Sequence, residues 1–340
     1  MSAVLRSRAR LRGLLMLPLA ALALSACEHS SAPQPAAPAA ATRAAKPGRP
    51  AAVAFTPPPL RTIPDDAFGA EVRKGEALFR HTATTAPQYV GNTLSCQNCH
   101  LDAGRLADSA PMWAAWVSYP AYRSKNQRVN TFEERLQGCF RFSMNGKAPP
   151  LGAPELVALE AYSYWMAQGA PTGTRLAGAG YPKLPKPAQG WDYARGKQVY
   201  ESHCALCHAA DGQGLLVDGK TWFPPLWGPQ SYNWGAGMSR LDLAAGFIKA
   251  NMPLGNGNSL SDQQAWDVAY YLDSHERPQD PRYLGSIEAT RQQFHDGPYE
   301  TYGRIVQGHL LGAGVGVSGG STVVTREATP RARLAPAQRD

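Results

Sequence analysis

Apolar positions recur at helical spacing in four segments of the 340-residue chain. Residues 71–79 and 193–200 each read as the start of an amphipathic helix. The two share a basic residue close to a glycine, as Arg73-Lys74-Gly75 and Arg195-Gly196. Residues 154–168 predict a third helix with Leu156, Leu159, Tyr162 and Trp165 on one face. A fourth follows Ser261, a good N-cap, and turns Trp266, Val268, Ala269, Tyr270 and Leu272 towards a core. Helix, gap and helix thus occur twice, which predicts a duplicated helical unit. Two other stretches break the pattern. Residues 14–24 form an apolar run behind Arg6, Arg8, Arg10 and Arg12, too short for a comfortable membrane span, and read as a cleaved export signal. The arginines are never adjacent, so the twin-arginine form of that signal is absent. Residues 31–59 are rich in alanine, proline and small polar groups, and bury too little apolar surface to offset ordering entropy. They read as part of a semi-extended tether.

Charge adds little. The formal +8 falls to +4 once the four arginines of the export signal are removed. That mild excess does not suggest nucleic acid, and it suits small anionic substrates or an acidic redox partner. The six cysteines are more informative. Leu24-Ser25-Ala26-Cys27 is similar to a bacterial lipobox, which makes Cys27 a lipid site and the periplasm the compartment. Cys96 and Cys99 precede His100, and Cys204 and Cys207 precede His208. Two thiols three residues apart can each form a thioether to a haem vinyl group, with the next histidine turned to the iron. Zinc or disulfide readings give that histidine no role. The expectation is two covalently bound haem c groups, which leaves one thiol, Cys139, unassigned.

The order of helix, haem motif, loop and helix resembles the small class I cytochrome c domain, twice over. The fold class expected is therefore all-α, with two tandem class I cytochrome c domains carrying one covalent haem each. The division expected is a lipoprotein signal at 1–26, a tether at 27–59 and a first, catalytic domain at 60–180. A linker at 181–190, a second, electron-transfer domain at 191–283 and a C-terminal extension at 284–340 follow, its last residues disordered. Met238 and Met252 are candidate ligands of the second iron. Met252 is favoured, in Asn251-Met252-Pro253, shortly before the last predicted helix, with His208 opposite. Phe223-Pro224-Pro225-Leu226 resembles the proline loop whose carbonyl orients the proximal histidine, and Pro111 is its counterpart for His100. The first domain has no Met-Pro element there, and both Cys139 and Met144 are possible partners of His100. Residues 101–150 hold seven bases and four acids, including Arg123, Lys125, Arg128, Arg135, Arg141 and Lys147. Such surroundings are what hold a cysteine as thiolate.

More specific elements follow: Val90-Gly91-Asn92, Leu101-Asp102-Ala103-Gly104-Arg105, Arg128-Val129-Asn130, Arg135-Leu136-Gln137-Gly138-Cys139-Phe140 and Ser143-Met144-Asn145-Gly146-Lys147. Together they resemble the dihaem thiosulfate dehydrogenases, which interconvert thiosulfate and tetrathionate. The resemblance implies that Cys139 is the distal ligand of the catalytic haem. It also implies a substrate site lined by Arg128, Arg135, Ser143 and Lys147, and an external electron acceptor or donor, periplasmic or in the membrane. Arg141 and Phe142 stand where members commonly carry an acid and then arginine. Asn251 replaces a lysine that lets some members switch ligands, so fixed His208/Met252 ligation is expected. The alternatives are a substrate-free electron carrier using Met144, and a Sox-type dihaem subunit.

Overall fold

The computed structural model describes residues 51–218 and 220–315. The export signal, Cys27, the tether up to residue 50 and the last part of the C-terminal extension lie outside the described residues. The first half is built on helices α1 (Ala67–Arg80), α2 (Phe132–Gly138) and α3 (Pro154–Met166). The second uses α4 (Tyr193–His203), α5 (Leu241–Asn251) and α6 (Asp262–Leu272), and α7 (Ile287–Phe294) follows. Strands occur as short antiparallel pairs, among them β1 (Ala121–Arg123) with β2 (Arg128–Asn130), and β3 (Leu215–Val217) with β4 (Lys220–Phe223).

The glycine shared by the two halves is a crossing point. A Cβ on Gly75 of α1 would lie 2.0 Å from the Ala158 carbonyl oxygen of α3. One on Gly196 of α4 would lie 2.1 Å from that of Asp267 in α6. Only glycine lets the two backbones approach this closely. Around the crossings Phe79, Leu156, Leu159, Tyr162 and Trp165 are buried in the first half, and Tyr200, Trp266, Val268, Ala269 and Leu272 in the second. Each fully buried side chain of this kind stabilises by about 1.5–3 kcal/mol. Tyr270, expected in the core, is half-buried. Ser261 caps α6 as expected, its hydroxyl accepting from Gln264 N.

Two boundaries differ from expectation. Residues 51–59, expected as tether, are packed: Val53 N donates to Arg175 O at 2.9 Å and the Phe55 ring lies 5.3 Å from Trp113. The linker 181–190 lies on the second half, where Trp266 Nε1 donates to Pro185 O at 2.9 Å. Extension residues Tyr302, Val306 and Leu311 form a small core with Trp234. Among the described residues no helix is long and apolar enough to cross a membrane.

Candidate functional site

The first centre is assembled from three segments. Cys96 opens a tight turn (Cys96–Asn98), its backbone N–H donating to Thr82 Oγ1 at 3.1 Å. His100 Nδ1 lies 2.7 Å from Ala110 O. A carbonyl only accepts, so Nδ1 carries the proton and Nε2 is left for a metal. The carbonyl is that of Ala110, one residue before the expected Pro111. Helix α2 starts at a capping box between Thr131 and Glu134, and its end widens into a single π turn at Cys139–Ser143. Cys139 therefore sits one turn beyond Arg135, whose Nη1 donates to Cys139 Sγ at 3.0 Å.

Cys96, Cys99, His100, Cys139 and Met144 line one cavity, walled by Phe79, Leu136 and Leu159. Its thiols are unequal. Burial pushes Cys96 and Cys99 up to about 12. Burial pushes Cys139 up as well, but the Arg135 guanidinium and His100 outweigh it and bring the thiol down to about 6. Cys139 is the sulfur poised as thiolate at neutral pH. Met144 is buried in the same wall and has no such counter-charge. Two neutral thiols beside a histidine with one free nitrogen, facing a further sulfur across an apolar cavity, are a donor set that fits a covalently attached haem.

The second centre repeats the first half of this design. Cys204 and Cys207 flank the start of a short helical turn, Ala205–His208. His208 Nδ1 lies 2.9 Å from Pro224 O, as the proline loop implied. Met252 follows α5 and packs with Cys204 against the second core. Met238 packs against both cores instead, and its carbonyl accepts from Tyr232 Oη at 3.3 Å. Asn251 is buried, its Nδ2 donating to Phe247 O at 3.0 Å and Asp108 O at 3.1 Å.

Beside the first centre lies a chamber of about 850 Å³. Its walls are the β1–β2 hairpin, α2, residues 234–240 and the segment around α7. Arg123, Lys125, Arg135, Arg240 and Arg282 line it, against the acids Glu134 and Glu300. Ser143 lines both chamber and cavity, so the chamber adjoins Cys139. Lys125 Nζ donates to Gly235 O and lies 3.7 Å from the Phe142 ring centroid. The residue as a whole is exposed, but desolvation at its ammonium end, then the neighbouring Arg282 and Arg135, lower its pKa.

The SoxA/TsdA cytochrome c domain family matches residues 74–172, and the family of cbb3-type cytochrome c oxidase subunit III matches residues 192–272. A thiosulfate dehydrogenase of Thiomonas intermedia (strain K12) is 63% identical over 258 residues, 76% of this chain and 82% of that protein. The chain belongs to the thiosulfate dehydrogenase family. A second thiosulfate dehydrogenase, of Stutzerimonas stutzeri (strain A1501), is 54% identical over 264 residues, 77% of this chain and 86% of its own. Among solved structures, the thiosulfate dehydrogenase TsdBA of Marichromatium purpuratum in its as-isolated form superposes with a TM-score of 0.75 at 56% identity. That match covers 77% of this chain and 58% of the TsdBA chain.

In this thiosulfate dehydrogenase family member the expected site residues separate. Cys139, Arg135 and Ser143 come together. Arg128 does not join them: it is exposed on β2, with Nη2 2.7 Å from Glu134 Oε1, and does not line the chamber. Lys147 is likewise exposed and lines neither space. A run of bases in sequence does not say which cation already has a carboxylate. Arg240 and Arg282 went unnoticed because the fold brings them across from the second half. Arg123 and Lys125 carried a signal only as members of the basic run.

Proposed function

We propose that this protein joins two thiosulfate anions into tetrathionate, and runs the reverse reaction, at Cys139. Two dianions must meet there, and their repulsion needs fixed cations. Unit charges 4 Å apart interact by about 4 kcal/mol at an effective dielectric of 20, so Arg135 and its neighbours in the chamber are an adequate counterweight. Arg135 keeps the Cys139 sulfur ionised, and Ser143 offers a hydroxyl where chamber and cavity meet. Bound haems would supply the redox chemistry, one electron each; His100, with Cys139 when it is not engaged by substrate, would hold one, and His208 with Met252 the other. Cys139 Sγ bonds to the terminal sulfur of the first thiosulfate and two electrons leave. The second thiosulfate attacks the sulfur now attached to Cys139, which frees tetrathionate and regenerates the thiolate. The two electrons would pass to a small periplasmic or membrane-held acceptor. The export signal and Cys27 support a periplasmic protein held to a membrane by lipid.

A single observation carries this reading: the Cys139 sulfur, 3.0 Å from Arg135 Nη1, shares a cavity with His100 and adjoins a cationic chamber. The test is thiosulfate-dependent ferricyanide reduction, and tetrathionate-dependent oxidation of a reduced dye, by wild type and Cys139→Ala with both haems loaded. Full turnover by the variant sinks the proposal. Met144, in the same wall, supports a second reading, a substrate-free carrier with methionine at both irons. Near-infrared spectra of the oxidised protein separate thiolate from methionine ligation. Activity of the purified single chain on free thiosulfate counts against a Sox-type subunit.

A further inference from the structure

The chamber is lined from both halves. Arg135 and Ser143 line it where it adjoins Cys139. The Arg282 end is the part lined by Lys125 and, from beyond α6, by Arg282 itself. This side chain is held rigidly: Nε and Nη2 donate to the two oxygens of Asp280 at 3.0 and 2.6 Å, and the guanidinium lies 4.2 Å over the Phe294 ring. Asp280 is itself fully buried and accepts from His295 Nε2 at 2.9 Å. Nη1 of Arg282 has no hydrogen-bond partner among the described residues. Both basic groups of this end lie near the Phe142 ring, Lys125 Nζ at 3.7 Å and Arg282 Cζ at 5.1 Å from its centroid. A ring quadrupole stabilises a nearby cation only in part. Arg282 and Arg135 both act on Lys125 from close by, so three cations gather along this wall of the chamber, with Asp280 and Glu300 as their nearby carboxylates.

We propose that Arg282 and Lys125 form an outer anion subsite, which takes the sulfonate end of the second thiosulfate or the far sulfonate of tetrathionate. This deepens the reading of the site given above and rests on it. Arg135 and Ser143 then hold the first anion against Cys139, and the chamber volume is ample for both with water between them. An arginine already pinned by a carboxylate presents its remaining N–H donors with little further loss of freedom.

Arg282→Gln in the full-length, haem-loaded protein tests the subsite. The expected result is a rise in KM for thiosulfate of about tenfold or more, with kcat changed by less than about threefold. Equilibrium binding of tetrathionate should weaken by a similar factor, binding of sulfite, which has a single anionic end, should not, and Arg282→Lys should recover part of the loss. Arg282→Gln with KM and tetrathionate affinity both within about twofold of wild type overturns the subsite. So does a fall of kcat in step with haem occupancy, which marks a purely structural role. Should Arg282→Gln fail to load haem, Lys125→Gln, which breaks no ion pair, is read by the same criteria. A wild-type protein that neither oxidises thiosulfate nor binds tetrathionate overturns the underlying reading and the subsite with it. Wild-type turnover with an indifferent Arg282→Gln overturns the subsite alone.

Discussion

At the scale of single residues, Arg135 carries two tasks that can be separated. It holds the Cys139 sulfur ionised across 3.0 Å, and it lines the chamber as one of its cations. Arg135→Met removes both, and kcat/KM for thiosulfate should fall about 10- to 100-fold, the loss expected for one charge-assisted hydrogen bond of about 1.5–3 kcal/mol. Arg135→Lys restores a charge without the planar fork and should recover only part of the rate. Arg128→Ala and Lys147→Ala, by contrast, should leave steady-state kinetics within about twofold of wild type, because a surface ion pair such as that of Arg128 contributes about 0–1 kcal/mol and Lys147 is exposed outside both spaces. A large loss on Arg128→Ala would mean that the hairpin rearranges when substrate binds. What sequence revealed at this scale follows the chemistry. Cys139 was legible because the other five cysteines had assignments, whereas the roles of Arg128 and Arg135 depend on which of them Glu134 pairs with.

Among the elements, the helix crossings were visible in sequence as a repeated basic residue and glycine, and their meaning required a second helix. Gly75→Ala or Gly196→Ala would drive a methyl group into a carbonyl oxygen across the crossing. Each should destabilise its own half by about 1–3 kcal/mol, the usual cost of overpacking. Gly237→Ala, whose new methyl would meet Leu243 at an ordinary 3.6 Å, serves as the control. Denaturation followed in the Soret band checks this, and equal stability of the three variants would refute the packing argument. The segment around α7 invites a pH experiment. Burial alone would lower His295, but Asp280 at 2.9 Å and Glu300 at 3.2 Å outweigh it and hold the imidazole above its ordinary value of 6.5. A group raised in the folded state contributes stability that is complete below about 6.5 and lost as pH rises through its folded value. Wild-type Tm should therefore fall by more than that of His295→Gln as pH rises above about 6.5. Parallel curves for the two proteins would remove His295 as the cause.

The whole molecule was the least legible from sequence. Periodicity and the haem motifs were enough for two cytochrome c domains, because each half repeats one local pattern. They could not show that the halves are interlocked, since the joining groups, Asn92 and Asn233 among them, are isolated residues without a pattern of their own. Asn92 Nδ2 donates to Ser143 O at 2.9 Å and to Ser231 O at 3.1 Å. Asn233 Nδ2, from the other side, donates to Arg141 O at 3.0 Å and to Asn145 Oδ1 at 3.0 Å. The acceptors on Arg141, Ser143 and Asn145 lie in and just beyond the π turn that carries Cys139, so groups of the second half hold that turn in place. Asn233 is buried and does not line the chamber. Asn233→Ala should cost about 1–3 kcal/mol by leaving buried acceptors unpaired. That cost should appear at the first centre, as lower thiosulfate turnover and a broadened near-infrared thiolate band, although the substitution lies in the second half. Confinement of the effect to the His208 haem, with the His100 centre unchanged, would mean that the two halves act as independent domains on a common chain. In that event the chamber between them would have to form afresh with each substrate, and turnover would depend on the viscosity of the medium as well as on the concentration of thiosulfate.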